Sequence, residues 1–192
     1  MKKAKLIISI ILLFWIQPVF AGDWHFPLGL TYISGFYDIV DIYEDNLEAE
    51  GYWVDTVEGA PLGISFHPYF QFSDKFAIGC GIGPLMYIDG DVVEFFALPF
   101  SLDGRYFFLK RPSTGLYLRA GVKEYFASGD YVEDSTPGFF GGLGLELLKN
   151  KKVNMGVELL VDYAEIEFED LKNDSTKDIR PSPIIFSIFV IF

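Results

Sequence analysis

Leu143, Leu145 and Leu147 alternate with Gly142, Gly144 and Glu146. The same period of two runs through Val153, Met155, Val157, Leu159 and Val161, through Leu116, Leu118, Ala120 and Val122, and through Phe76, Ile78, Cys80 and Ile82. Successive side chains of an extended strand point to opposite faces, so this period means strands with one apolar face each. After Ala21 no window keeps helical spacing for long, and the chain reads as strands throughout. Turn residues divide it into eight segments, near 24–39, 58–72, 76–88, 93–109, 115–127, 137–148, 153–167 and 181–192.

The breaks come in two kinds. Ser73-Asp74-Lys75, Lys110-Arg111-Pro112-Ser113-Thr114 and Asn150-Lys151-Lys152 are short and mostly basic. The other connections are mostly longer and acidic. The stretch 40–57 holds Asp41, Glu44, Asp45, Glu48, Glu50 and Asp55 without a Lys or Arg, and 168–180 includes Glu169, Asp170, Asp174 and Asp178. Asp89-Gly90-Asp91 is short, and 128–136 is intermediate. An even number of strands, with short turns at one end and longer loops at the other, predicts an all-β, eight-stranded antiparallel up-and-down transmembrane β-barrel. Closure removes the sheet edges that hydrocarbon does not tolerate.

Composition decides which face meets lipid. The less apolar face is mainly Gly, Ala, Ser and Thr with a few charges, which suits the inside of a narrow barrel. The bulky face carries Leu, Val, Ile and Phe. Aromatic residues stand near segment ends as expected belts: Phe26, Tyr32, Phe36, Phe70, Phe72, Tyr106, Phe108, Phe126 and Phe139. On the same phase Cys80 faces lipid, and Trp24 and Trp53 are interface or loop aromatics. A soluble lipocalin-like barrel with the faces reversed is the alternative, but its water-facing side would be unusually poor in charge. Pro68, Pro84 and Pro99 fall inside expected strands and demand bulges or shifted boundaries there. Glu165 and Glu167 fall on the lipid phase, which requires them to stand beyond Tyr163, above the hydrocarbon.

The last segment ends on Phe192, with Val190, Ile188, Phe186 and Ile184 on one face. It resembles the C-terminal strand of outer-membrane β-barrel proteins, which implies recognition by the barrel assembly machinery. The opposite face, Ile185, Phe189 and Ile191, is more apolar than that resemblance implies. Ala97-Leu98-Pro99-Phe100-Ser101-Leu102-Asp103-Gly104-Arg105-Tyr106-Phe107 is similar to a strand common in the generic outer membrane protein beta-barrel group. The whole pattern resembles the small eight-stranded outer-membrane barrels, and no particular member of them.

The first residues read as an address. Lys2, Lys3 and Lys5 precede the apolar run from Leu6 to Ile16, and Val19-Phe20-Ala21 fits a cleavage site, so 1–21 is expected to be a signal peptide and 22–192 the barrel domain. The apolar run is about half of the roughly 20 residues a spanning helix needs, which disfavours an uncleaved anchor. The expected placement is the outer membrane, with both termini periplasmic and the acidic loops extracellular. Among 192 residues, Lys plus Arg number 15 and Asp plus Glu 27, so the formal charge is −12 and a nucleic-acid partner is not expected. The single Cys excludes an intrachain disulfide framework and a Cys-based zinc cluster.

Charges on the inward phase are the candidate site. Arg119 and Lys123 share that face of segment five, Glu146 lies on segment six, and Glu158 and Asp162 on segment seven. A hairpin bend at 131–133 would bring Arg119 near Glu146, and Asp103 with Arg105 forms a further interior pair. Buried charges must be paired or wet, and eight strands leave little free bore, so a salt-bridge plug is favoured over a gated channel. Ser65 and His67 share a face, which is a minimal start for a lipid-modifying enzyme, yet they point into the lumen and away from lipid. No catalytic residue, cofactor or metal centre is expected. Clustered carboxylates in the acidic loops are candidate ligands for divalent cations, without a recognisable ligand motif. Outer-membrane lipid and lipopolysaccharide are the expected surroundings. The expected role is structural or loop-mediated interaction. The alternative is a narrow channel or the passage of small apolar compounds.

Overall fold

The computed structural model describes residues 22–52, 61–89, 93–147 and 153–192. The expected signal peptide and its cleavage site, Trp53, the tip at Gly90-Asp91 and the turn Asn150-Lys151-Lys152 lie outside those residues. The described strands group into eight staves. The first is β1 (Asp23–His25) with β2 (Pro27–Ile33), and the second β3 (Leu62–Phe66) with β4 (Tyr69–Gln71). The third is β5 (Phe76–Ile82) with β6 (Met86–Asp89). Next come β7 (Glu94–Arg111) and β8 (Thr114–Gly129), each a stave by itself. The sixth is β9 (Val132–Thr136) with β10 (Gly138–Leu147), and the seventh β11 (Asn154–Asp162) with β12 (Glu165–Asp170). The last is β13 (Ser175–Ile179) with β14 (Ile184–Ile191). Neighbouring staves pair antiparallel, and β14 returns to β2 with Ile191 opposite Pro27 and Ile185 opposite Ile33. The sheet therefore closes on itself into an eight-stranded barrel. β9, β12 and β13 peel away as a separate three-stranded sheet at the loop end.

The prolines mark the irregular places. Pro68 separates β3 from β4, and Pro84 separates β5 from β6. Pro99 stays within β7 but sits opposite the second break. The β5–β7 ladder ends at Ile82 with Phe100, and the β6–β7 ladder resumes at Met86 with Ala97. A residue without an N–H is accommodated where the neighbouring ladder is already interrupted.

The faces are inverted relative to a soluble barrel. Leu143 is 52% exposed and Leu159 56%, while Arg119 is 2% and Glu146 0% exposed. Apolar side chains occupy the outer wall and charges the interior, which is the arrangement of a membrane barrel. This excludes the reversed, lipocalin-like alternative. In β14 the face carrying Ile184, Phe186, Ile188 and Val190 points outward. The apolar inward side also has its use. Ile185 packs with Phe140 and Leu160, and the Phe189 ring occupies the space that a side chain at Gly156 would take.

One stretch is not a strand. The first segment stops at Ile33, and Phe36–Ala49 forms an α-helix, α1. Phe36, Ile39, Val40, Tyr43 and Leu47 recur at helical spacing and are buried, while Asp38, Asp41, Glu44, Asp45 and Glu48 occupy the rest of the surface. Phe36 is therefore a core residue of the helix rather than part of a lipid belt. Gly51, at φ 88°, ends the helix. Its N–H donates to the Glu48 carbonyl and the Tyr52 N–H to the Leu47 carbonyl, which is a Schellman cap. Asp41, Glu44, Asp45 and Glu48, read as part of a loop, are on the wet face of this helix, and Asp55 lies outside the described residues.

α1 closes the loop end of the tube. Its buried face packs with Ile33, Met86, Ile88, Val93, Phe95, Ala97 and Tyr125 on one side, and with Ala164, Ile166, Phe168 and Ile179 on the other. Glu165 and Glu167 sit on β12, beyond Tyr163 and outside the closed barrel ladder, with their side chains on the face opposite Ile166 and Phe168.

Candidate functional site

Among the described residues, seven of the eight staves put polar side chains into the lumen. Near its middle, Arg119 Nη2 donates to Asp103 Oδ2 at 2.9 Å and Nη1 to Glu158 Oε2 at 2.8 Å. Arg105 Nε donates to Asp103 Oδ1 at 3.2 Å, and its Nη1 lies 3.9 Å from Glu158 Oε1. The two guanidinium groups and two carboxylates thus form a ring of alternating charge across the bore. Arginine suits this position because its planar fork addresses two carboxylates at once and keeps its charge when buried.

Tyrosines complete the network. Tyr117 OH donates to Glu158 Oε1 at 2.5 Å, and Tyr69 OH to Glu146 Oε1 at 2.7 Å. The Arg105 guanidinium lies 4.1 Å from the Tyr69 ring centre, and that of Arg119 lies 5.2 Å from the Phe140 ring centre. Towards the loop end, Lys123 Nζ donates to Asp162 Oδ2 at 2.5 Å, and Tyr125 OH donates to the same oxygen at 3.1 Å. Thr31 Oγ1 lies 2.8 Å from both Ser65 Oγ and Ser187 Oγ, which ties three staves together. Glycines make room for these bulky groups. A side chain at Gly81 would collide with the His67 ring, and one at Gly144 with Tyr117.

Every charged residue proposed for the lumen is buried there: Asp103, Arg105, Arg119, Lys123, Glu146, Glu158 and Asp162. The pairing differs from the expectation at one place. The β8–β10 register sets Arg119 opposite Gly142 and Glu146 opposite Gly115, so the hairpin turns at Asp130-Tyr131, slightly earlier than expected. Arg119 binds Asp103 and Glu158 instead, and Tyr69 serves Glu146. Tyr69, Tyr117, Tyr125 and Phe140 were not singled out from the sequence. Their inward phase was visible, but an aromatic ring suits a lipid interface equally well, so residue type alone does not mark them.

Ser65 and His67 share the lumen without acting on one another. Ser65 bonds Thr31, while His67 Nδ1 is 3.1 Å from Arg119 Nη2. Arginine is only a donor, so Nδ1 is the acceptor and the imidazole carries its proton on Nε2. That geometry uses the ring as a prop for Arg119 rather than as a partner of Ser65.

Among the described residues, cavities of about 10 and 30 Å³ lie in the lumen. A single water needs roughly 10–15 Å³, so this is space for isolated waters rather than a bore. Above them, the cap is fastened by polar latches. Tyr43 OH donates to the carbonyl of Asp130, Asn46 Nδ2 donates to the Glu169 carbonyl at 2.6 Å, and Leu171 N donates to Asn46 Oδ1 at 2.9 Å. Burial, and then the nearby Asp130, pushes the Tyr43 phenol above its ordinary range, so it remains a donor. Tyr131 is pushed up to about 12 by burial and by its bond to Glu50.

Among the described residues no three carboxylate, His or Cys groups gather into a place for a metal ion. Asp45 pairs with Lys172 at 2.7 Å and Glu165 with Arg180 at 2.8 Å, while Asp170 accepts from Asn173.

No family model matches the chain, and no curated protein matches it by sequence. Solved structures do. The chain is similar to the outer membrane protein OprG from Pseudomonas aeruginosa, with 13% identity, coverage of 89% of this chain and 95% of that one, and a TM-score of 0.55. It is similar to outer membrane protein W of E. coli, with 15% identity, coverage of 91% and 98%, and a TM-score of 0.55. For Neisserial surface protein A the figures are 11% identity, coverage of 88% and 95%, and a TM-score of 0.55. At such identities the likeness is one of fold, and the fold is that of the small eight-stranded outer-membrane barrels.

Proposed function

We propose that this chain is an outer-membrane barrel with a sealed lumen, acting through the surface it presents rather than by conducting solutes or by chemistry of its own. The observation that carries the reading is the Arg119–Asp103–Glu158 network, which spans the bore beneath a mouth occupied by α1. A conducting pore needs a continuous wet path, and eight staves leave room only for side chains. The acidic wet face of α1 and the β12–β13 hairpin would then form the exposed surface, with the short basic turns and both termini on the periplasmic side. The C-terminal strand ending in Phe192 supports delivery by the barrel assembly machinery, after cleavage of a signal peptide following Ala21. Divalent cations, if they bind the loops, would act as bridges between separate carboxylates and lipopolysaccharide.

Purified protein in planar bilayers should give no stable conductance steps. Large, long-lived openings would overturn the sealed-lumen reading. Protease added to intact cells should cut within α1 or at the tip near Asn173 and spare the basic turns. Cleavage confined to the basic turns would reverse the orientation.

A further inference from the structure

The turn end of the wall brings Lys75, Lys110 and Arg111 together beside exposed aromatic rings. Along the outer face of β7, Leu102 gives way to Tyr106 and Phe108 towards the turn end, all exposed. A bulge between Phe107 and Leu109 then resets the phase, so Leu109 and Arg111 continue outward, opposite Leu116 and Thr114. The adjoining turn lies beside it. Phe107 N donates to the Lys75 carbonyl at 2.8 Å, and Lys110 Nζ pairs with Asp74 Oδ1 at 2.9 Å. Phe72, Phe76 and Tyr106 stand just above, with ring centres 6.4 Å and 5.1 Å apart in sequence. At the other rim, Tyr163 is followed by Glu165 and Glu167, and Arg180 lies over the Tyr163 ring and pairs with Glu165.

We infer that Lys75, Lys110 and Arg111, at the foot of this aromatic cluster, form a docking surface for the headgroup of an anionic phospholipid. Arg111 continues the outer face, while Lys110, opposite Gly115, and Lys75 stand in the adjoining turns at its edge, so apolar, aromatic and cationic residues follow one another towards the turn end in the depth order of hydrocarbon, interface and phosphate. Asp74 is the one carboxylate among these groups, so the surface keeps an excess of positive charge on a chain whose overall charge is −12. The Asp74 side chain is 94% exposed. Such an ion pair is weak in water, so Lys110 exchanges it for a phosphate at little cost. The inference rests on the membrane-barrel reading only in needing a bilayer around the wall.

The test is native mass spectrometry of the detergent-solubilised full chain, titrated with phosphatidylglycerol or with phosphatidylcholine of the same acyl chains. The native protein should hold the anionic lipid about ten-fold more tightly, because the excess of positive charge at the surface favours the lipid with net negative charge. The triple variant Lys75→Ala, Lys110→Ala, Arg111→Ala should lose that preference, and Lys75→Arg with Lys110→Arg should keep it. Equal affinity for the two lipids, or a triple variant that retains the preference, overturns the inference. Heat-modifiable gel mobility is measured on every variant. Its absence in the native chain would instead remove the barrel reading.

Discussion

The lumen and its cap fill the same tube by opposite means. The lumen is held by charges that must find partners, whereas the cap is an apolar core with a few polar latches. In the lumen, Arg119 is shared between two carboxylates from different staves and one histidine. Removing either carboxylate leaves a buried guanidinium short of counter-charge. In the cap, Tyr43 touches Phe95, Phe168 and Tyr131, contacts that carry no charge to be stranded. The barrel wall closes without α1, because the eight staves pair with each other around the full ring. The difference predicts global failure from one kind of damage and local failure from the other.

The strongest test is Arg119→Ala. It strands Asp103 and Glu158 and should cost about 3–5 kcal/mol, the range for breaking a buried ion pair. The expected readout is a lowered temperature for the heat-induced gel shift of the whole barrel. Equal loss from Arg119→Met would show that missing charge, rather than missing volume, is the cause. No loss in either variant would end the claim that the network holds the staves together.

Tyr43→Ala should be comparably costly, about 3–5 kcal/mol for a large buried aromatic, but confined to the cap. Limited proteolysis should then cut within α1 while the heat-shift temperature of the barrel barely moves. Parallel loss of both would erase the distinction between cap and lumen. Asn46→Ala removes two buried hydrogen bonds and leaves the Leu171 amide and the Glu169 carbonyl in need of partners, so a cost of about 1–3 kcal/mol is expected. Amide exchange at Leu171 should speed up without change in β11 or β14. Lys172→Ala should do least. Its pair with Asp45 is exposed, and neither proteolysis nor the gel shift should respond.

The cap also shows how local signals compete. Phe36, Ile39, Val40, Tyr43 and Leu47 carry a legible helical pattern, and Glu50-Gly51 a legible stop. They are easily overlooked because a dense run of acids reads as a solvated loop when the remainder of the chain alternates by two. The strands of the closed barrel were legible nearly to their ends, because alternation recurs at every second residue and needs no knowledge of neighbours, whereas β9 and β13 lie in stretches that read as connections. The exceptions follow from backbone chemistry. Pro68 and Pro84 split staves that the pattern reads as continuous, since each lacks the donor that a ladder requires.

The order of the chain thus determined the inverted barrel. A period of two puts bulky apolar groups on one face and glycines and charges on the other, and only lipid outside with a filled bore inside satisfies both. Which charge meets which was decided by closure. Arg119 reaches Glu158 from 39 positions away and His67 from 52, across a lumen whose register is set by the sum of all the stave pairings. Shifting one hairpin turn by a residue changes every partner in the bore, so side-chain phase is a local property and ion pairing a property of the whole ring.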